Sequence, residues 1–125
     1  MYERIEAPSH VVAVKLGETL TAEEIERLYR EVGEALEKLT AHDRLSYYVD
    51  ASSWSHVGLE AMLEGLKQRF LHLGWLSRFD RVGLVTDNAV LRGTISLFDA
   101  ITPHMSLKSF TPDEAEAGLK WVARA

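Results

Sequence analysis

The feature that most restricts how this chain can fold is an alternation. Short apolar runs of strand length take turns with stretches whose apolar residues recur at helical spacing. The clearest helical stretch opens with Leu20-Thr21-Ala22-Glu23-Glu24. Thr21 stands at a cap position and Glu24 three residues later completes a capping box, while Glu23 and Glu24 suit the positive end of a helix dipole. Ile25, Leu28, Tyr29, Val32, Leu36 and Leu39 then fall on one stripe, opposite a charged face.

The same reading extends along the chain. Tyr2 to Ile5 and His10 to Leu16 are strand-compatible runs, and Ala7-Pro8-Ser9 between them breaks the pairing and predicts a tight connection. Leu45 to Val49 is a strand that ends in Asp50. Leu59, Met62, Leu63, Leu66, Phe70 and Leu73 form a second helical stripe that closes near Gly74. Arg81 to Thr86 is a further strand, followed at once by a helix over about Ala89 to Ile101 that stops near Pro103. Met105 to Phe110 is the last strand, and Thr111-Pro112-Asp113-Glu114 opens a final helix with Thr at the cap and Pro at the first helical position. The order ββαβαβαβα predicts an α/β fold, a mainly parallel mixed five-stranded sheet with the first strand antiparallel at an edge.

At 125 residues, 46% of them hydrophobic, the chain is expected to form one domain, residues 1–125, with a core that needs no staples. The absence of cysteine excludes disulfides, a thiolate nucleophile and cysteine-based zinc sites. No apolar run approaches the roughly 20 residues that cross a bilayer, and the acidic start MYERIEAPSH lacks a signal-peptide core, so a cytoplasmic protein is expected. A net charge of -5 opposes binding to nucleic acid. The charge is uneven: from Gly65 to Lys108, Lys67, Arg69, Arg78, Arg81, Arg92 and Lys108 outnumber Asp80, Asp87 and Asp99, which makes this segment +3 and the remainder -8. Such a segment marks either an interaction face or an ordinary solvated surface.

In a sheet of this kind, ligands and partners meet the loops at the carboxyl ends of the parallel strands. Four loops should converge there: Gly17 to Thr21, Asp50 to Gly58, Thr86 to Asn88 and Thr111 to Asp113. Asp50, Ser53, Ser55 and Asp87 are the candidate interaction residues among them, although helix capping alone also calls for Asp, Ser, Thr and Asn at these places. Catalytic chemistry finds little footing. The serines lack a G-x-S-x-G elbow, and His56 is merely a neighbour in sequence. Asp50 and Asp87 at adjacent strand ends would make a carboxylate pair, but strand ends facing capped helices commonly carry such residues. No glycine-rich phosphate loop is present, and the five histidines lack metal-ligand spacing, so no cofactor and no metal is expected. The chain is expected to be non-enzymatic.

Apolar surface points further. On the helix after Thr86, Leu91, Ile95 and Phe98 make one stripe and Val90, Leu97 and Ile101 lie to its side, which is wider than a core stripe requires. Phe70, Leu73, Trp75, Leu76 and Phe79 crowd beside Arg69, Arg78 and Arg81. Phe70, Leu73, Leu91, Ile95 and Phe98 are therefore the candidate apolar-ligand residues, and the two segments the candidate contact of a homodimer or of an anionic membrane surface. The competing explanation is that these side chains fill the core.

Taken in order, LTAEEIERL, LSYYVD, GLEAMLEGLKQRF, RVGLVTD and FTPDEAEAGLKWV resemble the SpoIIAA-like proteins over nearly the whole chain. These are small bacterial domains related to the STAS anti-sigma factor antagonists and grouped in fold with CRAL-TRIO lipid-binding domains. The resemblance implies a binding or regulatory module, with either an apolar ligand or a protein partner governed by serine phosphorylation. In the signalling relatives the switch serine lies in an Asp-Ser-Ser/Thr-Gly turn after the strand that here ends in Asp50. The matching glycine here is Gly58, the switch position holds His56, and Ser55 follows Trp54 instead of an aspartate. With that register the loop reads as a structural turn and binding rim, and Ser53 or Ser55 would carry any phosphate.

Overall fold

The computed structural model describes residues 1–39, 43–55, 65, 68, 77–101 and 105–124. Five strands form one sheet in the order β1-β2-β3-β4-β5: β1 Tyr2–Ile5, β2 Val11–Leu16, β3 Leu45–Asp50, β4 Phe79–Val85 and β5 Ser106–Phe110. β1 pairs antiparallel with β2, and β2 through β5 are parallel to one another. The expected antiparallel edge strand is thus present. The helices are α1 Ala22–Lys38, α2 Ala89–Ile101 and α3 Ala115–Ala123, the last entered through a 3-10 turn at Pro112–Glu114. The second helical stripe lies outside the described residues apart from Gly65 and Gln68, both helical.

Strand alternation sorts the apolar side chains into two layers. Val12, Val14, Leu16 and Leu45 point to the α1 face, where Leu28, Val32 and Leu36 meet them together with Trp54, Phe79 and Met105. Val11, Ala13, Tyr48, Val85 and Phe110 point to the other face and pack on Val122 of α3, with Leu119 and Trp121 alongside. The sheet is therefore buried on both faces, as a parallel sheet requires.

The strand expected from Arg81 begins two residues earlier, at Phe79. The register explains the difference. Leu45 pairs with Phe79, but Tyr47 pairs with Val82, so β4 carries an extra residue against β3. This bulge turns Phe79 onto the same face as Val82 and Leu84, in defiance of simple alternation, and hides the start of the strand from a period-two reading.

The expected capping box forms at α1, and the cap expected at Thr111 forms a second one with Glu114. Thr21 Oγ1 accepts from the Glu24 N–H at 3.1 Å and the Glu24 carboxylate accepts from the Thr21 N–H at 3.0 Å. At the other end of the chain the Thr111 N–H donates to the Glu114 carboxylate at 2.9 Å. These bonds hold both carboxyls below the usual glutamate range: for Glu24 the hydrogen bond from the Met1 amino group is the largest cause, for Glu114 the Thr111 N–H.

Candidate functional site

Three of the four predicted loops are stitched together at the carboxyl ends of the parallel strands, and the fourth approaches through charge. The Ser55 N–H donates to the Glu18 carbonyl at 2.9 Å, which ties the loop after β3 to the loop after β2. The Ala51 N–H donates to the Val85 carbonyl at 2.8 Å, and the Thr86 N–H to the Phe110 carbonyl at 2.9 Å, so each parallel strand hands its end to the next. Arg92 on α2 lowers the Glu114 carboxyl by its charge, which brings the turn after β5 to the start of α2.

Within this rim the predicted interaction residues have distinct surroundings. Asp50 is only 9% exposed, and its Oδ1 accepts from the Ser52 N–H at 3.0 Å and the Ser52 hydroxyl at 2.6 Å. That is an Asp-led turn, which matches the structural-turn reading of the loop. Ser53 and Ser55 are exposed, with Trp54 buried between them. Trp54 packs into the α1-side core and pins the loop, which leaves the two flanking hydroxyls facing outward. Asp87 is exposed on the turn between β4 and α2. The capping there is done by its neighbour: Asn88 Oδ1 accepts from the Val90 and Leu91 N–H groups at 2.9 and 3.1 Å.

Tyr48 lies beneath the rim on the α3 face. Its hydroxyl donates to the Ala115 carbonyl at 3.2 Å. Burial, aided by the charge of Asp50, pushes the phenol up to about 12. It therefore stays protonated, a fixed donor between β3 and the start of α3.

The apolar candidates divide. Leu91 is buried at 4% exposure and Ile95 is half-buried, so these two positions of α2 face inward. Phe70 and Leu73 lie outside the described residues, as does the Phe98 side chain. Among the described residues, the large apolar side chains that α2 presents outward are Val90 at 72% and Leu97 at 65% exposure. They stand seven residues apart, hence on one line of the helix, and Gly93 between them has nothing within 4 Å of where a Cβ would be. Their seven-residue spacing was present in the sequence; what sequence reasoning lacked was which of two adjacent apolar lines the sheet would take.

No cluster of metal-ligating side chains occurs among the described residues, and no helix among them is long and apolar enough to cross a membrane. The assembly defines a class: a small α/β domain with a mixed five-stranded sheet, loops gathered at one end and an apolar line on an outer helix. The chain belongs to the SpoIIAA-like family, whose sequence profile matches residues 11–123. A domain of this family fits a small regulatory or interaction module. The fold is similar to the crystal structure of an uncharacterized protein of the DUF3478 family with a SpoIIAA-like fold from Shewanella loihica PV-4, at a TM-score of 0.63 and 17% identity, covering 98% of this chain and 92% of that one. No curated protein matches the chain significantly in sequence.

Proposed function

We propose that this protein is a non-enzymatic interaction module whose α2 face, led by Val90 and Leu97, is the contact surface for an apolar partner, in the first instance a second copy of the chain. One observation carries the reading: two large aliphatic side chains on one line of α2 are more than half exposed, although α2 is otherwise anchored to the sheet through Leu91. Leaving each in water forgoes about 1.5–3 kcal/mol of burial. Gly93, with open space at its Cβ, lets another surface approach closely between them. An apolar small molecule or a membrane surface would use the same side chains.

Native mass spectrometry of the purified protein tests this. A dimer, or a monomer that retains a copurified apolar molecule, is expected, and Leu97→Asp should abolish either while the far-UV circular dichroism stays unchanged. Monomer alone with nothing bound, in the wild type, contradicts the reading.

A second reading, a phosphorylation-governed protein-interaction domain, draws support from the exposure of Ser53 and Ser55 on either side of a buried Trp54. The neighbouring Asp50 carboxylate, already turned toward Ser52, would repel a phosphate there. Intact mass after coexpression with a cognate kinase discriminates, since a single added phosphate that Ser53→Ala or Ser55→Ala removes would favour this second reading.

A further inference from the structure

The charges of α2 run against the helix that carries them. Arg92 lies in the turn at its amino end and Asp99 in the turn at its carboxyl end, with no acid in the first turn and no base in the last. A helix dipole favours the reverse order, because its amino end is positive and its carboxyl end negative. Both side chains are exposed, and neither forms an ion pair among the described residues. Each has a local use that leaves its charge in place. Arg92 is the weakest of the influences on the Glu114 carboxyl, and Asp99 Oδ1 accepts the neutral Leu107 N–H at 2.9 Å.

The helical turn sorts the outward residues of α2 into two flanks. At about 100° per residue, Val90 and Leu97 fall on one side of the Gly93 line, and Arg92 and Asp99 on the other. Ala89 and Ala100 lie close to that line, and both are exposed. A face with one apolar flank, one charged flank and a slim middle matches its own copy only when the copy is turned end for end. About a two-fold axis level with the step from Thr94 to Ile95, Val90 comes beside the partner's Leu97 and Arg92 beside the partner's Asp99, so that each flank meets its like. Each charge then also lies by the favourable end of the other helix. A parallel two-fold pair would set the apolar flank of one copy against the charged flank of the other.

We propose that two copies of the chain associate through antiparallel α2 helices about this axis, in an isologous contact centred near Gly93. The geometry rests on the α2 face being the contact surface of the protein, and it fixes both the occupant and its direction. A second copy answers Arg92 and Asp99 with opposite charges in the same contact that covers Val90 and Leu97. An apolar small molecule or a lipid surface would cover the aliphatic side chains and leave the charge order of α2 without a counterpart.

The chain contains no cysteine, so introduced thiols report the contact cleanly. In the antiparallel pair Ala89 lies beside the partner's Ala100, while the two copies of either residue stand about 16 Å apart along the helices, far beyond disulfide reach. Ala89→Cys and Ala100→Cys, each oxidised alone with copper phenanthroline, should stay uncrosslinked on non-reducing electrophoresis. The two variants mixed in equal amounts and left to exchange should give a crosslinked dimer. Arg92→Glu should raise the dissociation constant of the dimer roughly tenfold by setting two acids together. Arg30→Glu, the same charge change on the exposed side of α1, should leave it unchanged. Crosslinking of either variant alone, no crosslink in the mixture, an unmoved constant in Arg92→Glu or an equal rise in Arg30→Glu overturns the antiparallel pair, while the α2 contact itself stands or falls with Leu97→Asp. A wild type that stays monomeric at every concentration removes that contact and this geometry together.

Discussion

The carboxylate at the end of β3 serves the turn that follows it. Asp50 takes two hydrogen bonds from Ser52, and the chain then bends back so that Trp54 can bury itself. Asp50→Ala should therefore destabilise the protein by about 1–3 kcal/mol, the cost of leaving buried donors unmet, as measured by urea unfolding. Deeper in the same region Tyr48 supplies a pH signature. Its phenol is raised from 10.0 to about 12 in the folded protein, so the stability it contributes is complete below pH 10 and drains away as the pH climbs toward 12. Tyr47 is raised in the same direction by burial. Stability should fall on going above pH 10, and Tyr48→Phe should make that fall shallower, at a cost of about 1 kcal/mol near neutrality for the lost bond to Ala115. An identical alkaline slope in the variant would contradict this account of Tyr48. At this scale the caps were legible, because Thr21 with Glu24 and Thr111 with Glu114 act through local spacing. The engagement of Asp50 was legible only as an alternative, since its partner, Ser52, is one of three nearby serines.

Among the elements, α3 depends on close approach. A Cβ at Gly118 would come within 2.9 Å of Phe110 Cδ2, and one at Gly83 within 3.0 Å of a Val122 methyl, so the helix rests on the sheet through two positions without side chains. Gly118→Val should force Phe110 and the helix apart and lower stability by about 1–3 kcal/mol in thermal or urea unfolding. The gain in helix propensity over glycine, at most about 1 kcal/mol, does not offset that. Element order was readable because strand and helix periods differ. The β4 bulge was not: an extra residue obeys no period, and only the pairing of Leu45 with Phe79 and Tyr47 with Val82 exposes it. On α2 the sequence offered two adjacent apolar lines, and the sheet takes Leu91 while Val90 and Leu97 stay outward. Leu97→Asp should accordingly leave the stability of the monomer, measured at concentrations below dimerisation, within about 0.5 kcal/mol of the wild type, whereas Leu91→Ala should cost about 2–5 kcal/mol.

For the whole molecule, the two faces of the sheet have different surroundings. α1 joins β2 to β3 and α2 joins β4 to β5, and α2 carries the exposed Val90 and Leu97. α3 closes the opposite face beside two cations gathered on an indole. Of the site residues that sequence spacing singled out, Asp50, Ser53, Ser55 and Asp87 sit on the rim, Leu91 is buried and Ile95 half-buried. The cations around the indole, by contrast, depend on the pairing of distant segments: Arg81 meets Lys108 only because β4 and β5 are neighbours, and Trp121 reaches them only because α3 crosses back beneath the sheet. Sedimentation equilibrium across a wide concentration range, on the wild type and on Leu97→Asp, tests the central claim most directly. A wild type whose apparent mass rises from 14.1 kDa toward twice that value, beside a variant that stays at the monomer mass, is the predicted result; the same rise in both proteins would show that association does not use the α2 face.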